Sequence, residues 1–294
     1  MKIKILWAAI ALGLALGASV RQVDASDKKI VLIAGAQSHG AGQHEFKAGC
    51  LLLEQCLDAL PGIEAVVVTG GWPKDTAVFD GADAVMIFSD GGNGHPAIAP
   101  ERLELLRGLM SRGVGFGCVH YAVEVPKDKG GAEWLAWTGG YFETFWSVNP
   151  HWTADFTSFP VHPITRGVKP FKIQDEWYYH MRFPEGMRGV TPILTAVPPD
   201  STRGREGVNN PHGGNPAVFA RKGMPEHVMW AIERPDGGRG FGMTGGHFHK
   251  NWGDDNFRKV VLNAILWSAK AEVPATGVAS TVTPEDLRKN LDPK

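Results

Sequence analysis

Cysteine is scarce in this chain: three in 294 residues, at Cys50, Cys56 and Cys118. An odd, small number in so long a sequence excludes a disulfide-stapled scaffold. Cys50 and Cys56 lie six apart in one apparent helix, roughly 120° apart around its axis at about 100° per residue, so both read as core residues that do not pair. Charge of one sign is also lacking, with 30 Lys and Arg against 31 Asp and Glu. Such a balance provides no basic face for nucleic acid and no polybasic membrane signal. There is no Gly-x-x-x-x-Gly-Lys-Ser/Thr, and neither Gly91-Gly92-Asn93-Gly94 nor Gly237-Gly238-Arg239-Gly240 has phosphate-loop spacing. The second reads as a hairpin turn. Repeats and low-complexity tracts are absent, and beyond Val20 no run is long and apolar enough to span a bilayer.

What is present begins with a targeting pattern. Lys2 and Lys4 precede an uncharged apolar run from Ile5 to Val20, and Val23-Asp24-Ala25 offers small residues for a signal peptidase. The run is shorter than the roughly 20 residues a membrane anchor needs. Residues 1–25 are therefore expected to be a signal peptide cut before Ser26, giving a periplasmic or secreted protein with no stable membrane insertion. Removing Lys2, Lys4, Arg21 and Asp24 leaves 27 basic and 30 acidic residues in the mature chain.

Short apolar strands are expected near 29–35, 63–69, 84–88 and 114–119. They alternate with helices over His44–Leu60 and from Pro100 to about Arg112. In the first helix Phe46, Cys50, Leu53, Leu57 and Leu60 recur at three- and four-residue spacing. This alternation predicts an α/β fold with a flavodoxin-like, doubly wound, mainly parallel sheet. Residues 126–160 read as loops with a short helix near 131–138. A strand-rich C-terminal half follows, with strands near 171–174, 190–197, 216–221, 227–233 and 239–244. A helix over about Asp254–Ala269 closes a domain spanning 26–270. Residues 271–294 read as a polar, loosely attached tail.

Ligands of open α/β sheets bind beyond the carboxyl ends of the strands, and polar residues fall there. Ser38, His39, His44 and Glu45 follow the first strand; Ser89, Asp90, Asn93 and His95 the third; His120, Tyr121 and Glu124 the fourth; His247, His249 and Trp252 the last. Gly245-Gly246 lets the backbone approach a ligand closely. The segment Asp175-Glu176-Trp177-Tyr178-Tyr179-His180 is the densest polar-aromatic cluster. If extended, Glu176, Tyr178 and His180 share one face and Asp175 the other. His39, His44, His120, Glu176 and His247 are the candidate ligands of a divalent metal, zinc or another first-row ion. Glu176, His120 and Asp175 are the candidates for acid–base work. Asp90, Tyr121, Trp177, Tyr178, His180, His249 and Trp252 are the candidates for binding substrate. His162 reads as a turn residue, and His212 and His227 as surface residues. Gly115-Phe116-Gly117-Cys118-Val119-His120 ends a strand as a nucleophile elbow does, but Val119 stands where the elbow needs glycine. Cys118 is thus expected to face the core.

Taken together, four segments resemble the ThuA-like family, first associated with trehalose utilisation. They are the strand followed by Ser38-His39-Gly40 and His44-Glu45-Phe46; Gly117-Cys118-Val119-His120-Tyr121; His162-Pro163-Ile164-Thr165 with Asp175-Glu176-x-Tyr178; and Gly240-Phe241-Gly242-Met243-Thr244-Gly245-Gly246-His247 with Trp252 and Trp267. The resemblance covers about residues 29–270. It implies a fold like class I glutamine amidotransferases, without their Cys-His-Glu arrangement, and a role in sugar catabolism that includes oxidised 3-keto-glycosides. Three functions remain open. One is a metal-dependent enzyme that cleaves or isomerises a small carbohydrate, with metal affinity falling between about pH 7 and 5.5 as histidines protonate. The others are a sugar-binding module of the cell envelope without catalysis, and a Cys118-dependent hydrolase or amidotransferase-like enzyme.

Overall fold

The structure is a computed structural model that describes residues 27–208 and 210–293. The expected signal peptide lies outside the described residues. Seven strands form one sheet in the order β2-β1-β3-β4-β9-β8-β7. β1 (Lys28–Ala34), β2 (Ile63–Val68), β3 (Ala82–Phe88), β4 (Gly115–Val119) and β9 (Arg239–Met243) run parallel. β8 (Glu226–Glu233) and β7 (Val190–Ala196) add antiparallel strands at one edge. The central strands are near-continuous apolar runs because helices cover both faces. β4, for example, is buried at every residue.

α1 (Phe46–Asp58) packs Phe46, Cys50, Leu53 and Leu57 into one core layer, together with α5 (Asp255–Ser268). α2 (Pro100–Ser111) and α3 (Ala132–Trp137) build the opposite layer with Leu103, Leu106, Leu109, Trp134 and Trp137. Asp254 caps α5 by accepting from the Asn256 and Phe257 amides, both at 2.9 Å, an interaction of about 1 kcal/mol. From β1 the chain winds outward to β2 and then returns to β3 on the other side. That reversal is the topological switch point where such sheets open a crevice.

Three expectations about elements are corrected. Residues 216–221 are not a strand: α4 (Pro216–Phe219) is a short helix, with Asn215 accepting from the Val218 amide and Pro216 at its first position. An Asn-Pro pair supplies both a capping oxygen and a fixed φ for a helix start. Residues 126–160 contain β5 (His151–Phe156), which pairs antiparallel with β6 (Phe171–Glu176). The tail is polar but not loosely attached. Val273 and Val278 are buried, the Val278 amide donates to Asn263, and Arg258 donates to Ser280. Further along, the Asp292 amide donates to Glu45 at 2.8 Å, and the Gln37 side-chain amide donates to the Pro293 carbonyl. The tail thus ends against the loop between β1 and α1. Among the described residues, no helix is long and apolar enough to cross a membrane.

Candidate functional site

The carboxyl ends of β1, β4 and β9 meet the end of β6, and there His44, His120, Glu176 and His247 converge. One ligand-type atom from each lies within 4.8 Å of all the others. His44 Nε2 is 3.0 Å from His120 Nε2 and 3.0 Å from His247 Nδ1. Glu176 Oε2 is 3.1 Å from His247 Nδ1 and 3.5 Å from His120 Nε2. The edge of a tetrahedron of nitrogen and oxygen ligands around zinc is roughly 3.3 Å, so this ring has the dimensions of a coordination shell.

The other ring nitrogens decide what those atoms offer. His120 Nδ1 is 2.8 Å from the Thr244 carbonyl. A carbonyl only accepts, which assigns the proton to Nδ1 and a lone pair to Nε2. His44 Nδ1 is 2.7 Å from Asp90 Oδ1, so the same reasoning leaves its Nε2 a lone pair as well. Two lone pairs therefore face each other across 3.0 Å, an arrangement that asks for a cation or a shared proton between them. Metal-binding histidines characteristically donate their remote N–H to a carbonyl or carboxylate in this way.

The electrostatics agree with neutral rings. Burial, followed by the neighbouring imidazoles, drives His120 well below the usual histidine range despite its bond to Thr244. Burial also lowers His44, with the Asp90 bond opposing it. For Asp90, burial alone would raise the carboxyl, but hydrogen bonds from His44 and Ser38 outweigh it and hold the group below its ordinary range.

Backbone geometry aims the rings. His39, His44 and His120 all have positive φ, at 56°, 47° and 57°. A non-glycine residue in this region costs roughly 1–2 kcal/mol, and such strain concentrates at functional sites. The strained position at the end of β4 is His120, two residues past Cys118, so the strand-end turn presents an imidazole and no thiol. Cys118 is fully buried in β4, and burial pushes its thiol well up.

His247 is set by a buried carboxylate. Asp175 Oδ1 accepts from the amides of Glu176 (2.7 Å) and His247 (2.9 Å), and Oδ2 accepts from the Gly246 amide and Asn251 Nδ2, both at 2.9 Å. Burial raises its carboxyl while these four donors oppose the rise. With both oxygens doubly engaged and no exposure, Asp175 is a positioning group and not the acid–base candidate it was expected to be. Gly246 needs its φ of +124° to deliver its amide, and a Cβ at Gly245 would lie 2.5 Å from the Trp177 ring.

Among the other candidates, Asp90 orients His44, and Tyr178 Oη reaches Glu176 Oε2 (3.3 Å) and His120 Nε2 (3.5 Å) from a buried position. Half-buried Tyr121 stands at the rim, 6.2 Å from the His44 ring, and burial, then Glu124, raises its hydroxyl to about 12. His39 lies outside the ring of four: its imidazole is 3.5 Å from that of His44, and with His44 and Asp90 it forms a second, more exposed cluster.

Four substrate-binding expectations are corrected. Trp177 and Trp252 are fully buried core residues, packed against Phe257, so no sugar can stack on them. His180 stacks on Trp146 at 4.5 Å and faces Glu226, because β6 ends at Glu176 and the alternation that would align it does not continue. His249 is buried in the turn after Phe248, where it lines a cavity of about 340 Å³ with Leu287 and Leu291 of the tail.

Two residues were missed. His151 Nε2 lies 3.8 Å from Glu176 Oε1, placed there by the register of β5 against β6. His212, expected on the surface, lies 3.7 Å from Glu124.

His95 also follows β3 but serves the fold. Its Nδ1 accepts from the Ala97 amide at 3.1 Å and its ring meets Trp134 edge-on. Burial depresses it from 6.5 to about 3. The unfolded chain therefore binds the extra proton first as pH falls. The neutral ring's contribution is complete above 6.5 and is lost progressively toward pH 3, at about 1.4 kcal/mol per pH unit. His95→Asn, which keeps an acceptor for Ala97, should remove this share of the acid slope. Urea unfolding of both proteins at several pH values between 7 and 4 checks it; parallel pH dependences would refute it.

A doubly wound sheet with its polar cluster at the strand ends defines the class as a flavodoxin-like α/β protein with a histidine-carboxylate site. The ThuA family profile, described as trehalose utilisation, matches residues 31–268, and the chain belongs to that family. Two solved structures share the fold. A ThuA-like protein from Bacteroides uniformis ATCC 8492 superposes with a TM-score of 0.59 at 14% identity, covering 86% of this chain and 95% of its own. One from Parabacteroides merdae ATCC 43184 gives 0.56 at 16%, covering 88% and 94%. No curated protein matches the sequence.

Proposed function

We propose that this protein is a divalent-metal-dependent enzyme that processes a carbohydrate, a sugar or 3-keto-glycoside, by cleavage or isomerisation. One observation carries the metal: the Nε2 lone pairs of His44 and His120 face each other at 3.0 Å, beside His247 Nδ1 and Glu176 Oε2. Those four residues would hold the ion, with Asp90 and Thr244 fixing two of the rings. A divalent ion there would supply Lewis acidity to a substrate carbonyl.

The chain's own groups supply the proton chemistry. Glu176 presents Oε2 to the ring, while Oε1 faces Asn149 (3.3 Å) and His151 (3.8 Å). That leaves Oε1 to take the proton from a carbon beside a ketone. The carbohydrate class rests on family membership and on the polar rim formed by His39, Asp90 and Tyr121. A non-catalytic sugar-binding module is less well supported, since Trp177 and Trp252, its expected stacking platforms, are core residues. The buried, protonated state of Cys118 disfavours thiol chemistry.

The test is hydrogen exchange at the carbon beside the ketone of methyl 3-keto-glucoside in D2O, followed by NMR. Exchange should vanish with chelator and return with Zn, Mn, Co or Ni. Exchange indifferent to chelator would overturn the metal, and its absence under all conditions would overturn the carbohydrate reading. We propose in addition that the chain acts outside the cytoplasm. Protein from the envelope fraction would then start at Ser26, and an intact Met1 in the cytoplasm would end that proposal.

A further inference from the structure

The half-exposed histidines at the rim are of two kinds. His39 and His151 lie against the ring itself, 3.5 Å from the His44 imidazole and 4.9 Å from that of His247. His212 does not. It stands on the loop between β7 and α4, with Nε2 3.7 Å from Glu124 Oε1, and its side chain is 38% exposed against 5% for Glu124. Glu124 Oε1 also accepts from Thr144 Oγ1 at 3.3 Å. Among the described residues the one ion pair of this buried carboxylate is with His212. A buried carboxylate is costly without a cationic partner, so it favours the imidazolium form of His212. Accordingly the Glu124 bond raises His212, with Glu176 adding to the effect.

His212 is also connected to the proposed site through a built support. The Phe142 ring contacts both His212 (5.5 Å) and Tyr178 (5.3 Å), and Tyr178 in turn reaches Glu176 and His120. The neck of the loop is fixed by Arg203, buried and bonded to the Val218 carbonyl, and by Gly214, whose φ of +80° and tight approach to the Arg205 carbonyl admit no side chain. Asn210 holds the His212 amide at 2.9 Å.

We propose that His212, backed by Glu124, is the proton donor to the departing oxygen of the substrate, working opposite the base Glu176. This rests on the carbohydrate reading above. For a 3-keto-glycoside the step balances. Glu176 Oε1 takes the proton from C2, and the C–H electron pair passes into an enolate with the C3 ketone; that pair then becomes the C1–C2 double bond as the C1–O bond breaks. The leaving oxygen takes the proton of His212. An unsaturated ketone and a free alcohol result, and His212 recovers its proton from solvent while Glu176 returns one. Glu124 touches no reacting atom and is a positioning residue.

The experiment compares methyl and 4-nitrophenyl 3-keto-glucosides with metal-loaded wild type, His212→Gln and Glu124→Gln. An alkoxide needs a proton to leave, whereas a nitrophenolate does not. His212→Gln should lower kcat on the methyl glycoside by roughly 10²–10⁴-fold, lower it less than about tenfold on the nitrophenyl glycoside, and leave C2 hydrogen exchange running. Glu124→Gln should show the same selectivity to a smaller degree. By NMR titration, His212 of the wild type should hold its proton above the ordinary histidine range, and Glu124→Gln should remove that elevation. Equal losses on both glycosides, or loss of exchange with them, would overturn the role of His212 while leaving the metal-enzyme reading intact. A wild type inert toward both glycosides, with no exchange, would overturn that reading and this inference with it.

Discussion

The double substitution His120→Ala with His247→Ala should weaken divalent metal binding by at least about a hundredfold in calorimetric titrations of the stripped protein with Zn, Mn, Ni and Co, while far-ultraviolet circular dichroism stays native. The two residues provide two of the four convergent atoms and leave only His44 and Glu176. Because His120 has a φ of 57°, alanine there carries a backbone cost that has nothing to do with ligation. His120→Asn with His247→Ala separates the two effects, since asparagine tolerates the left-handed region. Asp90→Asn, which touches no ion and only reorients His44, should cost roughly 10–100-fold in affinity. Wild type that binds no ion tighter than about 100 μM would leave the facing lone pairs bridged by a shared proton and end the metal proposal.

The same titrations have a pH dependence whose sign follows from burial. Protons compete with metal for His44 and His120, but burial lowers both below the ordinary value. A lowered value means fewer protons bound at a given pH, so affinity should persist further into acid than free imidazole would allow. The loss expected from unperturbed histidines between about pH 7 and 5.5 should therefore be displaced downward.

How far the sequence discloses this site depends on what each residue's signal reports. The parallel sheet is legible because β1, β3 and β4 are near-continuous apolar runs, which only strands covered on both faces need. His44, His120 and His247 are legible for a related reason: they follow the parallel strands β1, β4 and β9, and strand ends are where a doubly wound sheet opens. Trp177, Trp252, His180 and His249 mislead because a polar-aromatic cluster announces contact density, and a buried wedge and a ligand platform look alike in composition. His151 had a readable signal, the alternation of Trp152, Ala154 and Phe156 inward, which marks a strand inside a stretch dominated by loop residues. Its position opposite Glu176 is a matter of register, and register between two strands joined by a long loop is not written in either one. The pairing of Glu124 with His212 is likewise a product of tertiary structure, spanning a distance in sequence that no local pattern covers.

Asp175 separates positioning from catalysis most sharply. Each of its oxygens accepts two N–H groups, Oδ1 from Glu176 and His247 and Oδ2 from Gly246 and Asn251. Asp175→Ala orphans four buried donors at once, and we expect a loss of about 3–5 kcal/mol in stability. Asp175→Asn, usually the gentle substitution, should be nearly as damaging here. Whichever way the amide turns, its NH₂ meets two donors, because neither oxygen is free. The loop bearing His247 depends on two of those bonds, so metal affinity should fall in both variants as well. The sign with pH is also fixed. Burial raises the Asp175 carboxyl, so its native proton affinity exceeds that of the unfolded chain. The unfavourable cost of keeping it charged is relieved, not increased, as pH falls through that raised value, and acid instability of the protein must come from other groups such as His95. Urea unfolding of wild type, Asp175→Ala and Asp175→Asn at neutral pH, paired with metal titration, checks the role. An Asn variant within about 1 kcal/mol of wild type that nevertheless lost catalysis would return Asp175 to the chemistry, since a base that does no structural work can be neutralised without unfolding anything.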